Sequence, residues 1–396
     1  MNEDKRSIDR RTFLHGGAAA ACALAAATIR PSRAAQPSGG TSKVAPIPLR
    51  EKFFGCIAGC HIGSSMGAVV EGWPWERIER EHGTLDRLLP YEHYGNRWVR
   101  APGTTEDGVE RQKLMITAIL EKQDRVTAED VRRIWVRDIK PEAPGNVSEP
   151  FEGMLLAIAK TSLPAADIGK YCDYAGLVSM ARSCHPLGLI NAGDVAGAIQ
   201  DVREVGQLYQ TANSRGIRWA EVTVIGIAAA TKPGATAESV LAAILEHCDR
   251  SVRGEIDRGL KLTAGCKDFR DMRKRFDDVY SGRGIPYAQS FANEVVTKAV
   301  CIFRMTRGNT WEAMKAAVNM GRDTDCLTSV AAGMSGALSG AASVPEELIR
   351  QVDRATGLNK FTNSKRTLRE TADGLYNAFK ARLARLRAYA EAMDAA

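Results

Sequence analysis

An all-α fold is what this chain predicts, on three observations. Apolar residues keep a three-to-four spacing in segment after segment from Leu49 onward, and the alternating runs that make half-buried strands are nearly absent. Aromatics are only 6% of the 396 residues, while 44% are hydrophobic and 36 are glycine. A core so rich in Ala and Gly suits helices that approach closely through small side chains better than it suits a β-sandwich.

Taken in order, residues 1–34 read as an address and not as part of the fold. Ser7-Ile8-Asp9-Arg10-Arg11-Thr12-Phe13-Leu14 resembles a twin-arginine export signal. The Ala-rich stretch 16–29 that follows falls short of the roughly 20 residues needed to span a bilayer. Small residues Ser32 and Ala34 mark a cleavage site, so the mature chain is expected to start at residue 35 and to work in the periplasm or outside the cell. Residues 35–47 read as a Pro/Gly/Ser linker, and 48–396 as one domain.

Within that domain Phe53, Phe54, Ile57 and Cys60 share one helical face, and Leu114, Ala118 and Glu121 continue a turn from Glu110. Thr127-Ala128-Glu129-Asp130 has the form of a capped start for a helix through Val136. Segments 195–209, 220–231, 237–248, 291–304 and 310–320 are similar, with Pro/Gly loops at 140–146, 232–234 and 281–286. A last helix over about 363–393 sets Leu368, Leu375, Phe379, Leu383, Leu386 and Tyr389 on one side and arginines on the other.

The net charge of +7 falls to about +4 without the leader, which holds six Lys/Arg and three Asp/Glu. That excess is too small to indicate nucleic acid or a membrane surface as partner. Nine cysteines include Cys22 of the leader; Cys56 and Cys60, on one helical face, read as buried thiols, and the core needs no disulfide framework and no cysteine sits at zinc-ligand spacing.

Chemistry concentrates in two acid-rich turns, Thr104-Thr105-Glu106-Asp107-Gly108 and Gly321-Arg322-Asp323-Thr324-Asp325-Cys326, each just ahead of a helical stretch. In mid-helix, side chains two apart diverge by about 200°. On a turn entering a helix Asp323 and Asp325 can converge. The donors are hard oxygens, which suit Mg²⁺, Mn²⁺ or Ca²⁺. Helix capping by Asp323, Thr324 or Thr105 is the competing reading of the same residues.

Three segments in order resemble the ADP-ribosylglycohydrolase family. Gly59-Cys60-His61-Ile62-Gly63-Ser64-Ser65-Met66-Gly67-Ala68-Val69-Val70-Glu71 is similar to the family's glycine-rich helix with Gly-Asp-Ala-x-Gly and a Glu four residues on. Thr105-Glu106-Asp107-Gly108 stands where the family has Thr-Asp-Asp-Thr, and Asn319-Met320-Gly321-Arg322-Asp323-Thr324-Asp325-Cys326 where it has Asn-x-Gly-x-Asp-Thr-Asp-Thr.

The resemblance implies a single-domain orthogonal helix bundle and a hydrolase of glycosidic bonds. It implies that Thr105, Glu106, Asp107, Asp323 and Asp325 hold two Mg²⁺ ions, with Mn²⁺ as an alternative. Such ions would offset four close carboxylates, grip vicinal sugar hydroxyls and activate water. Glu71 or Glu106 would move the proton. His61, among the small residues, reads as packing.

The chain also departs from the family. Ser64 replaces an Asp, Glu106 is longer than the usual Asp, and Gly108 and Cys326 replace threonines. Gly176-Leu177-Val178-Ser179-Met180-Ala181-Arg182 replaces a Gly-x-Gly loop before Ala-Met-Arg, and Tyr209-Gln210 a Thr-His pair near the ribose. His185 and Gln210 are the expected substrate contacts in this rewritten stretch, with a loop-packing histidine as the competing reading of His185. The expected substrate is an ADP-ribosyl group, free or on a protein, or a nucleoside or other small glycoside. The competing expectations are a catalytically inactive sugar or nucleotide binder and a Ca²⁺-stabilised structural protein.

Overall fold

The computed structural model describes residues 46–92, 99–140, 150–280 and 288–395, and Pro46–Ala396 form one compact unit. The leader, nearly all of the linker, and the loops expected at 140–146 (from 141) and 281–286 lie outside the described residues. The described residues hold 18 α-helices, three short 3-10 turns and one two-stranded antiparallel hairpin, Tyr91–Glu92 with Val99–Arg100. No helix among them is long and apolar enough to cross a membrane.

Two helices form the axis of the fold, Leu49–Gly67 and Thr324–Ser339, and both are buried on nearly every side. A helix can be enclosed in this way only if its neighbours tolerate close approach all round. Small residues recurring every four positions supply that tolerance. A Cβ on Gly55 would lie 2.4 Å from Gly336 O, on Gly59 2.3 Å from Ala332 O, on Gly63 3.0 Å from Thr328 O, and on Gly67 2.4 Å from Thr324 O. The partner numbers fall as the glycine numbers rise, so the helices run antiparallel. From Gly55 to Gly67 the seam runs about 18 Å at 1.5 Å per residue. It ends where the second acidic turn begins.

The strongly periodic helices lie where the sequence sets them. Thr127 caps Ala128–Asp138 in a capping box with Asp130, and Thr236 caps Ala237–His247 in a similar box with Ser239. Val195–Val205, Arg215–Ala230, Ala292–Met305 and Thr310–Val318 occupy the other expected spans. The last helix, Leu368–Asp394, starts with a Thr367–Glu370 capping box but packs for only part of its length. Leu386 is 51% and Tyr389 66% exposed, so the apolar side expected to run on through Tyr389 is buried only in the helix's first half. Cys56 and Cys60 are fully buried, as their place on the axial helix requires.

Candidate cation site between two turns

The first turn leads into helix Asp107–Lys122, whose N-cap is Glu106 in extended backbone. The Glu106 carboxylate accepts from Gly108 N at 2.6 Å and Val109 N at 3.0 Å, and from the Ser64 hydroxyl. Capping by a glutamate needs its extra methylene to fold back onto the helix start. Ser64 then presents a donor where a second carboxylate would repel it. The two departures, Ser64 and Glu106, therefore fit one another.

The second turn owes its shape to left-handed backbone at Gly321 (φ 75°) and Arg322 (φ 69°). A Cβ on Gly321 would stand 2.7 Å from Trp75 N. Arg322 N donates to Trp73 O and Gly72 N to Arg322 O, both at 2.8 Å, latching this turn to the segment just after Glu71. The Arg322 side chain is fixed by Glu294 at 2.7 and 2.9 Å. Asp323 then caps Thr324–Ser339 through Cys326 N at 3.3 Å, and the Thr324 hydroxyl donates to Gly67 O at 2.7 Å. Capping thus accounts for one oxygen of Asp323. Its Oδ2, and Oδ1 of Asp325, are buried with no hydrogen-bond partner among the described residues.

Two groups of potential cation ligands result, Glu106 with Asp107 and Asp325, and Asp323 with Asp325 and Cys326, each with its atoms within 4.8 Å of one another. Asp325 belongs to both. Orphaned carboxylate oxygens are costly in a buried site, and a divalent cation is a partner that satisfies several at once. The donor set fits such an ion, with Cys326 adding one sulfur.

Arg182, from the short helix Ser179–Ser183, spans the same cluster. Its two terminal nitrogens hold both oxygens of Asp107 at 2.8 Å, and it lies 3.5 Å from Glu106, 3.8 Å from Glu152, 3.9 Å from Asp325 and 3.6 Å from the Cys326 sulfur. A Cβ on Gly108 would sit 2.8 Å from Arg182 Cδ, which explains glycine there: it makes room for the guanidinium. One arginine cannot neutralise this many acids. Burial, followed by the neighbouring Asp107, pushes Glu106 from 4.5 to about 8. Burial and the charge of Glu71 hold Asp325 well above the usual carboxylate range, and burial and Asp323 do the same for Glu71. Burial with Asp323 raises the Cys326 thiol.

Of the residues expected from sequence, Glu106, Asp107, Asp323 and Asp325 are brought together, and Glu71 adjoins them. Thr105 is engaged otherwise, donating to Glu110 at 2.7 Å and accepting from Lys113 at 2.9 Å. His185 and Gln210, expected to touch substrate, are both fully buried. His185 lies between Gln112 Nε2 (3.2 Å) and Ser329 O (3.1 Å), and burial lowers it to about 4. His61 bonds Gln112 Oε1 at 2.8 Å in the same cluster, which ties Asp107–Lys122 and His185–Ile190 to the two axial helices. Gln210 donates to Tyr174 O and Leu177 O, both at 3.0 Å. Each is a structural polar group whose bonding is completed by the protein. Sequence reasoning missed Arg182 as a site residue. Its only signal was that it stands where the family's Ala-Met-Arg ends in arginine, which carries no hint of its partners.

Fold and site together define an all-helical protein with a carboxylate-built candidate cation centre at the end of its axial seam. The chain belongs to the ADP-ribosylglycohydrolase family, whose profile it matches over residues 45–384. It is 24% identical over 305 residues to an uncharacterized protein of Archaeoglobus fulgidus, covering 73% of this chain and 88% of the relative. To the uncharacterized protein YegU of Escherichia coli it is 23% identical over 329 residues, covering 78% and 94%. In fold it is similar to a solved ADP-ribosylglycohydrolase-related protein complex, with a TM-score of 0.60 at 16% identity over 84% of this chain and 98% of the other.

Proposed function

We propose that the chain is a Mg²⁺-dependent hydrolase that cleaves an N- or O-glycosidic bond of an ADP-ribosyl, nucleoside or related small glycoside. What carries this reading is the pair of orphaned buried oxygens, Asp323 Oδ2 and Asp325 Oδ1, inside two ligand groups that share Asp325. Family membership supports a hydrolase in the same sense. Glu106, Asp107, Asp323 and Asp325 would hold two ions, Mg²⁺ or Mn²⁺, which when bound supply Lewis acidity toward sugar hydroxyls and water. Glu106 has its carboxylate committed to Gly108 N, Val109 N and Ser64. Glu71 opens onto an adjacent cavity and is the better group to give or take a proton at the scissile bond. Arg182 orients Asp107 and keeps the acids compatible before ions arrive.

A catalytically inactive sugar or nucleotide binder of the same fold is the second reading. It is favoured by one observation, the hold of Arg182 on both oxygens of Asp107. Metal analysis of the chain from residue 35 after Mn²⁺ loading, with turnover of ADP-ribosyl and nucleoside substrates, separates the two. Bound Mn²⁺ and turnover that Asp325→Asn abolishes, with little change in melting temperature, are expected of the hydrolase. Ligand binding without turnover would leave the binder. We propose in addition that the chain is exported by the twin-arginine route. Retention of an Arg10→Lys, Arg11→Lys variant in the cytoplasm is the expected result.

A further inference from the structure

Beside Glu71 lies a cavity of about 480 Å³ that none of the expected site residues except Glu71 had suggested. Hydrogen bonds from its surroundings link it to both acidic turns. On one side the Gly72–Arg322 latch joins it to Asp323. On the other the Tyr91 hydroxyl, from its wall, donates to Thr104 O at 2.8 Å, just before Glu106. A sugar held over the carboxylates would therefore point its departing group into this space.

The walls have a definite chemistry. Trp73 and Tyr91 are flat aromatic surfaces, and Val69 and Leu89 are apolar. Trp73 is held in place, with the Arg77 guanidinium carbon 3.5 Å from its ring centroid and the His82 ring stacked on it at 5.9 Å. His82 also lines the cavity, and its Nε2 is buried without a hydrogen-bond partner among the described residues. The charged groups in the described lining are both acids, Glu71 and Glu92, with no Lys or Arg. Two acids in the described lining disfavour an anionic group such as a phosphate or carboxylate. Aromatic faces with acceptors at the edge suit a planar ring bearing N–H groups. A guanidinium would satisfy the acids but waste the apolar walls.

We infer that this cavity is the subsite for the departing half of the substrate, and that it takes an N–H heterocycle of the nucleobase class. The inference rests on the glycosidic reading above. The anomeric carbon–nitrogen bond breaks with its electron pair left on the ring nitrogen, and water's oxygen forms the new bond to that carbon. The ring nitrogen gains one proton through Glu71, and water loses one.

Calorimetric titration of the chain from residue 35 with adenine, uracil and methylguanidine, with and without Mn²⁺, tests it. At least one base is expected to bind without metal, more tightly than methylguanidine. Trp73→Leu is expected to weaken that binding at least tenfold, and His82→Ala to weaken it several-fold, with Mn²⁺ uptake and melting temperature unchanged in His82→Ala. The inference is overturned if no base binds, if methylguanidine binds as tightly as every base, or if both variants keep wild-type affinity. Failure of the wild type to take up Mn²⁺ would defeat the ion-dependent function and leave the metal-free titration standing, so the two failures are distinguishable.

Discussion

Glu106 gives the most searching test of the site, because its charge state links stability to the ions. In the ion-free protein its carboxyl is raised from 4.5 to about 8, chiefly by burial and then by Asp107. Between those values the unfolded chain has released the proton and the folded chain still holds it. Folding then takes up a proton, so the Glu106 contribution must fall as pH rises from about 4.5 and be gone above about 8, while Glu71 and Asp325, raised as well, add to the decline. At about 1.4 kcal/mol per pH unit, a shift of this direction and range is worth a few kcal/mol, an appreciable part of the roughly 5–15 kcal/mol typical of a domain. Divalent ions favour the ionised carboxylates, so a saturating concentration should remove the decline, and ion binding should release protons and strengthen with pH. Urea unfolding from pH 5 to 8 in chelator and in Mn²⁺ measures the first effect. Calorimetry in buffers of different ionisation enthalpy measures the second. Glu106→Gln should make the chelator curve shallower, leaving the part that Glu71 and Asp325 contribute. A metal-free stability that is flat or rises with pH, or ion binding that releases no proton, would refute the argument.

Other perturbations follow from the same geometry. Arg182→Met leaves buried Asp107 without its bidentate partner and should cost about 3–5 kcal/mol in chelator at neutral pH. Saturating Mn²⁺ should recover part of it in a thermal melt. Cys326→Thr replaces the sulfur of one ligand group by a hard oxygen, so Cd²⁺ should lose at least tenfold in affinity relative to Mg²⁺ by competition titration. Gly59→Ala drives a methyl to 2.3 Å from Ala332 O on the seam and should destabilise by about 3 kcal/mol or more in urea unfolding.

The acidic turns were legible because residue type and local signal agree: glycine for the left-handed turn, carboxylates for the cation, a helix start immediately after. Long periodic helices were legible for the same reason of local consistency. Short helices such as His185–Ile190, with Pro and Gly inside, carry too little periodicity to be seen. His185 and Gln210 were read as substrate contacts because polar residues in a departing stretch invite that reading. Their burial depends on Gln112, Ser329 and Tyr174, which are distant in sequence, and no local pattern announces such partners. Arg182 was obscure on the same account, since its pairing with Asp107 spans 75 positions. At Leu386 and Tyr389 the amphipathic pattern continues, but no neighbour among the described residues covers them.

The glycine seam has an evolutionary consequence. Because the two axial helices meet largely backbone to backbone along it, the place of the second acidic turn against Gly67 and the segment leading to Glu71 is set by the main chain. Trp73, His82 and Leu89, which shape the neighbouring cavity, lie off that seam. Substitutions there can redraw what is recognised without disturbing the carboxylates, so a lineage can change its substrate while its chemistry stays where it was.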